Sequence, residues 1–327
     1  MKRIIINSIV GALFLAPCLN VKAISTNDLF KYYSNPFKFI EEKYKPKEVE
    51  KVEDHKEIIT KIVKDKGQME LEELVYLGLI AEVGYPSFDL EAYKAQAVAI
   101  RTFILSNIKH KGKGFDLCGT TCCFALPNDK KIQGFTQDQL NRFRQAQEET
   151  EGQVLTYDGK IISTPVFFAY GHNQTNTPND IWNSDNNRYP YLKSVDTPEK
   201  VEPQIIEYTQ KEFCKRLGIE KIEHFKILNK NLNGYNKDIE IQELPVYDFG
   251  YYNGNQLRSK LGLKSGNFDI YLLDNGNIKI VCYGYGHGVG MSQFGADTMA
   301  KQGKKYDEIL KHYYTGVEIN NIQDTKF

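Results

Sequence analysis

The sequence lacks an excess of either charge: Lys and Arg together number 42, and so do Asp and Glu. With no net field to gather a polyanion, nucleic acid is not an expected partner, and any polyanion site has to come from a local patch. Long hydrophobic runs are also scarce. Residues 4–16 (IIINSIVGALFLA) are apolar but broken by Asn7 and Ser8, and the run is too short to cross a bilayer comfortably. Internal repeats are absent. Tryptophan is nearly so, with one Trp against 21 Tyr and 18 Phe.

What is present is enough for a folded protein. A 41% hydrophobic content beside 26% charged residues excludes disordered and fibrous classes. At 327 residues the prior is one large domain or two smaller ones. Met1-Lys2-Arg3 leads into the apolar run, and Val21-Lys22-Ala23 offers a small-residue cleavage site. Residues 1–23 therefore read as a secretory signal, with an uncleaved anchor as the alternative, and the chain is expected to be secreted, periplasmic or anchored on the outer face of the cytoplasmic membrane. Residues 24–56, rich in Lys, Glu and Tyr and interrupted by Pro36 and Pro46, read as a charged linker.

Beyond residue 57 the pattern is that of an α+β domain. Residues 58–63 predict a short strand, and Leu71, Leu74, Val75, Leu79 and Ile80 recur at helical spacing. Asp89 predicts the N-cap of a second, alanine-rich helix over 90–107. Asp158-Gly159 and Asn275-Gly276 each separate two strand-like runs, 154–157 from 160–166 and 268–273 from 277–282, as tight hairpin turns do. Helices over 292–302 and 306–314 follow. Helices packed on a hairpin-built antiparallel sheet are the expectation, with charged, poorly periodic residues 196–248 as a peripheral insertion and 319–327 as a tail.

Gly284-Tyr285-Gly286-His287-Gly288-Val289-Gly290 places four glycines around one histidine between a strand and a helix start. Such a loop brings backbone N–H groups close to a ligand. No lysine follows the glycines, so it is not a phosphate loop. The stretch GYGHGVGMSQFGADTMAKQGKKYDEILKHYYTGVEI resembles the C-terminal signature of the stage II sporulation protein D family, which includes amidase enhancers. LEELVYLGLIAEVGYPSFDLEAYKAQAVAIRTF, PYLKSV and LRSKLGLKSGNFDI follow the family's order, so the resemblance spans about residues 57–318.

The resemblance implies a peptidoglycan lytic transglycosylase that cleaves glycan lacking stem peptides, with Glu82 as its catalytic acid; a noncatalytic enhancer of a cell-wall amidase is the alternative. A carboxyl used first as acid and then as base needs a raised pKa, and a helix C-terminus supplies part of that shift. The same resemblance marks Arg101, Gln96, Tyr191, Lys193 and His287 as substrate-binding candidates. Trp182, the only tryptophan, is a further one, because an aromatic face stacks on a sugar ring. The chain departs from the family where Val83-Gly84-Tyr85-Pro86 inserts a residue, and where a Ser-Ser-Gly-Gly-x-Thr stretch reads Tyr170-Gly171-His172-Asn173-Gln174-Thr175.

No cofactor is required for this chemistry. Cys118, Cys122 and Cys123 carry two readings. Export permits a disulfide between Cys118 and Cys123. The resemblance implies instead a structural zinc, for which His110, Cys118, Cys122 and Cys123 would make a Cys₃His set. Cys214 and Cys282 sit alone, as small buried hydrophobes do.

Overall fold

The computed structural model describes residues 58–325 except 84, 86, 108, 121, 122 and 245–247. The signal or anchor expected over 1–23 and the linker expected over 24–56 lie outside the described residues. The hairpin β1 (Thr60–Val63) and β2 (Gly67–Glu70) feeds directly into helix α1 (Leu71–Glu82). Helix α2 (Leu90–Ser106) starts where Asp89 Oδ1 accepts the Glu91 N–H at 3.0 Å. Its alanines Ala92, Ala95, Ala97 and Ala99 are all buried, because α2 is the central helix. It packs against α1, against α4 (Gln137–Glu149), which follows the short α3 (Asp129–Gln133), and against strand β3 (Gln153–Tyr157). Close approach of α1 depends on Gly78: a Cβ there would lie 2.8 Å from Phe124 and 2.9 Å from Ile100.

Strand β3 continues through the Asp158-Gly159 turn into β4, which is only Lys160–Ile161. The longer strand expected to 166 does not form, since Tyr191 Oη takes the Ser163 N–H at 3.2 Å and Pro165 has none to give. Next come β5 (Phe167–Phe168), α5 (Pro178–Trp182), β6 (Gln204–Tyr208), α6 (Gln210–Leu217), β7 (Lys221–Lys230), β8 (Asn236–Leu244), β9 (Asp248–Tyr252) and α7 (Gly254–Leu261). The second expected hairpin is present as β10 (Asn267–Leu272) and β11 (Ile278–Tyr283). The chain finishes with β12 (Met291–Ser292), α8 (Gln293–Lys301), α9 (Tyr306–Tyr313) and β13 (Glu318–Asn321). Because β13 pairs with β3, residues 318–321 are bound into a sheet and do not form the free tail expected past 318.

The fold is α+β, with sheets ordered β13-β3-β4, β10-β11-β6 and β7-β8-β9 whose neighbours run antiparallel. One parallel exception, β12 on β5, matters for the site because it sets the glycine loop beside residues 165–167. Two apolar clusters underlie these elements. The larger gathers α1, α2, α4, α8 and α9 around residues such as Leu74, Leu79, Ile100 and Tyr313. The smaller, around Phe213, Leu257, Phe268 and Ile280, lies under β6–β11. No described helix is long and apolar enough to cross a membrane.

Candidate active site

Helix α1 ends at Glu82, and a helix end leaves its last carbonyls without intrahelical partners. Two side chains from elsewhere take them. Lys131 Nζ of α3 donates to the Ala81 carbonyl, and Gln293 Nε2, at the start of α8, donates to the Glu82 carbonyl at 3.2 Å. Gln293 is held in turn by Gln96 Oε1 of α2 at 3.4 Å. Three elements thus fix the backbone of Glu82 from outside its own helix.

The carboxyl of Glu82 lines a cleft of about 270 Å³ walled by Ile100, Phe103, Phe124, Val166 and Phe167. Burial among these apolar groups raises its pKa above the usual carboxylate range; the Lys131 charge and the Ala125 backbone pull it back less than burial pushes it up. His287 lines the same cleft. Its position follows from the glycines: all four have positive φ, and at Gly290 a Cβ would lie 2.0 Å from the Val166 carbonyl oxygen. The loop therefore lies flat on the 166–168 segment. His287 Nδ1 accepts the Val289 N–H at 3.0 Å, and burial lowers the ring's pKa to about 4, so the imidazole is neutral over the physiological range.

Trp182 joins this site. It is 44% exposed, and its ring centroid is 5.1 Å from that of His287. Tyr85, three residues past Glu82, packs edge-on against Phe294 at 4.3 Å, next to Gln293. Glu82 and His287, far apart in sequence, line one cleft, and Trp182 meets it through His287.

Other candidates are placed elsewhere. Arg101 has no exposed surface; its Nε and Nη2 grip both Glu72 carboxylate oxygens at 2.7 and 2.6 Å, and it also donates to the Gln153 and Gln147 carbonyls. A group so enclosed does not touch substrate, and the substrate contact expected of it is corrected to a structural pairing. Gln96, 2% exposed, likewise works through Gln293 and not on a ligand. Tyr191 is buried with its hydroxyl on Ser163, which removes the sugar contact expected of it. Lys193 is exposed and does not line the cleft. Sequence reading missed Gln293 and Lys131. The former had a signal, standing next to Ser292 at a predicted helix start inside the glycine motif; the latter had none.

Beside the cleft, His110, Cys118 and Cys123 bring ligand atoms within 4.8 Å of one another, and Cys123 is also a cleft wall. The two thiols are free, with Sγ atoms 3.0 Å apart, so the disulfide expected between them is not formed. His110 is 6% exposed with neither ring nitrogen hydrogen-bonded. Burial raises the Cys118 thiol's pKa, but hydrogen bonds from Cys123 and Thr120 outweigh that and bring it down to about 5, toward the thiolate a metal takes. An orphaned imidazole facing two thiols suits zinc. Cys122 lies outside the described residues.

A family model described as Stage II sporulation protein matches residues 60–157. Over 263 residues the chain is 34% identical to stage II sporulation protein D of Bacillus subtilis (strain 168), covering 76% of this chain and 74% of that one. The Bacillus amyloliquefaciens protein of the same name matches to the same extent. An amidase enhancer of Bacillus subtilis is 24% identical over 303 residues, 75% of this chain and 40% of the enhancer.

Proposed function

We propose, from the premise that this chain belongs to the stage II sporulation protein D family, that it works on the bacterial cell wall in sporulation as a lytic transglycosylase of peptidoglycan glycan strands stripped of stem peptides. The observation that carries this reading is the desolvated Glu82 carboxyl in a cleft whose other described lining residues include no carboxylate. Hydrolysis by paired carboxylates needs a second acid. Lytic cleavage does not. Protonated Glu82 gives its proton to the glycosidic oxygen as the C1–O bond breaks. The carboxylate then takes the proton of the same sugar's 6-hydroxyl as O6 bonds to C1, which yields a 1,6-anhydro end and restores the acid without consuming water. The exposed face of Trp182, backed by His287, offers a surface for a sugar ring.

Replacing Glu82 by Gln keeps the shape and removes the transferable proton. Release of 1,6-anhydro products from peptide-stripped sacculi, followed by mass spectrometry, is expected to fall by ~10²–10⁴. Near-normal release would remove Glu82 from this role. Similarity to an amidase enhancer favours a second reading, a noncatalytic activator of a wall amidase. Protein that forms no anhydro ends but accelerates an added amidase would establish that reading instead. Either activity belongs outside the cytoplasmic membrane, where residues 1–23 would direct the chain.

The donor set His110, Cys118 and Cys123 is further proposed to hold a structural zinc, with no part in the chemistry. Zinc bound there would pin the wall that carries Cys123 and Phe124. One zinc per chain by elemental analysis, lost together with several degrees of melting temperature in Cys118→Ser, is the expected result. A disulfide with no stoichiometric metal would replace this assignment.

A further inference from the structure

On the far side of the glycine loop from Glu82 lies a second cavity, a polar groove of about 470 Å³ that the mechanism above does not use. Its rim is the segment Tyr170–Thr175, where the sequence departs from the family pattern: His172, Asn173 and Gln174 all line it. The opposite wall is the β7–β8 turn, including Lys230 and Asn233, and its floor comes from Asp269 and Tyr283. The small cavity between groove and loop is bounded by His172 and Tyr283 on one side and by Gly286 and Gly288, the neighbours of His287, on the other. The loop thus walls this small cavity with its glycines while its His287 lines the catalytic cleft.

The groove is organised before any ligand arrives. The His172 ring leans on Tyr283 with centroids 4.6 Å apart, and the Tyr283 hydroxyl donates to Asp269 Oδ2 at 3.1 Å. Lys230 Nζ bonds Asp269 Oδ1 at 2.6 Å. Gln174 donates to Asp196 at 2.8 Å, while Asn233 Nδ2 is fixed on the Thr175 carbonyl at 2.5 Å. Asn173 is held at φ +67°, a left-handed conformation uncommon outside glycine. These bonds fix amides and carboxylates in the groove lining beside an aromatic ring.

Charge and polarity narrow the ligand. Among the described lining residues Lys230 is the one fixed cation and is already paired with Asp269, while Asp196 adds a second carboxylate and burial lowers the His172 pKa, against its charged form. A phosphate or other anion is disfavoured here. A wholly apolar ligand would strand the polar lining. What remains is a neutral ligand with many hydroxyls and amides and one apolar face. We propose that this groove is a second sugar-binding subsite, taking an N-acetylated amino sugar of the same glycan strand that passes Glu82. This rests on the glycan reading above and adds to it a site outside the catalytic cleft.

The test is calorimetric titration of the full chain carrying Glu82→Gln, so that the ligand survives, with the hexamer of β-1,4-linked N-acetylglucosamine. Expected are binding of the hexamer and a loss of roughly tenfold in affinity on adding His172→Ala, as for one aromatic contact, with a smaller loss on adding Lys230→Met. Thermal melting of each variant checks folding, and the surface change Lys230→Met carries the test if His172→Ala does not fold. Inorganic phosphate should give no heat. Hexamer affinity unchanged by both substitutions would overturn the subsite, as would no hexamer binding at all, or phosphate binding that Lys230→Met abolishes. The outcomes are separable from catalysis: cleavage that survives Glu82→Gln beside His172-dependent binding removes the proposed reaction and keeps the groove, whereas loss of cleavage beside His172-independent binding does the reverse.

Discussion

The two ends of helix α1 carry the same side chain in opposite states. Glu72 sits in the first turn, where the helix dipole favours an anion. Burial pushes its pKa up, but the Arg101 fork, Gln147 and the Gly152 N–H more than reverse this and hold the carboxyl below its usual range. Glu82, ten residues further along at the last turn, meets the unfavourable end of the dipole, apolar walls and a single lysine that is occupied with the Ala81 carbonyl. One carboxylate is engineered by its neighbours into permanent charge and the other toward a protonated acid. The lesson is that the pairing partner, more than burial, decides which carboxylate is structural and which is chemical.

Removing the partner at the first end is the most damaging way to break the contrast. Arg101→Ala strands Glu72 in a part-buried site and opens a space the size of the largest fully buried side chain in the described residues. A cost of about 3–5 kcal/mol in chemical denaturation is expected, with activity lost only in proportion to unfolded protein. If Arg101→Ala folded stably but bound glycan poorly, the pairing would not be its main role.

A smaller effect is expected where the second end is held. Gln293→Ala frees the Glu82 carbonyl and the Gln96 Oε1 acceptor without touching the cleft. A neutral hydrogen bond contributes about 0.5–1.5 kcal/mol, so kcat should fall by up to roughly tenfold while KM stays near its original value. A rise in KM at constant kcat would instead mean that Gln293 contacts substrate.

Much of the fold around this contrast was legible in the sequence. Helix α2 and its Asp89 cap, both glycine turns, the β10-β11 hairpin and both closing helices appear within a residue or two of expectation, since each had a local cause: a cap, a turn dipeptide or a stop glycine; β4 alone stops five residues short. The sheet β7-β8-β9 was not legible. Strand β7 buries little beyond Ile222, and register shifts at Ile222/His224 and Ile227/Asn229 erase the alternation that marks a strand. At the site, motifs pointed to Glu82 and His287, which line one cleft, but nothing in the sequence pointed to the buried pairings of Arg101 and Gln96. Both lie on α2, buried on nearly every side, and nothing in a sequence tells an arginine facing a ligand from one facing Glu72, 29 residues back.

The smallest expected effect is also the one that separates the two ends by sign. Between the unfolded value of ~4.3 and its raised folded value, Glu82 binds its proton more tightly in the folded state, so its contribution to stability is present at low pH and is lost as pH rises through the folded pKa. Glu72 acts the other way, contributing above the unfolded value and losing that contribution as pH falls through its depressed folded pKa. Glu199, also raised by burial, follows Glu82 in sign but is present in every variant considered and cancels in differences. Melting temperatures of the original protein and Glu82→Gln should therefore coincide in acid and separate as pH rises, with the variant the more stable, and then run parallel once the folded pKa is passed. The activity of the original protein should decline over the same interval, because the group proposed as the acid is losing its proton. Coincident melting curves from acid to alkaline pH would mean that the Glu82 carboxyl is solvated and that its proton is no easier to keep than that of any surface glutamate.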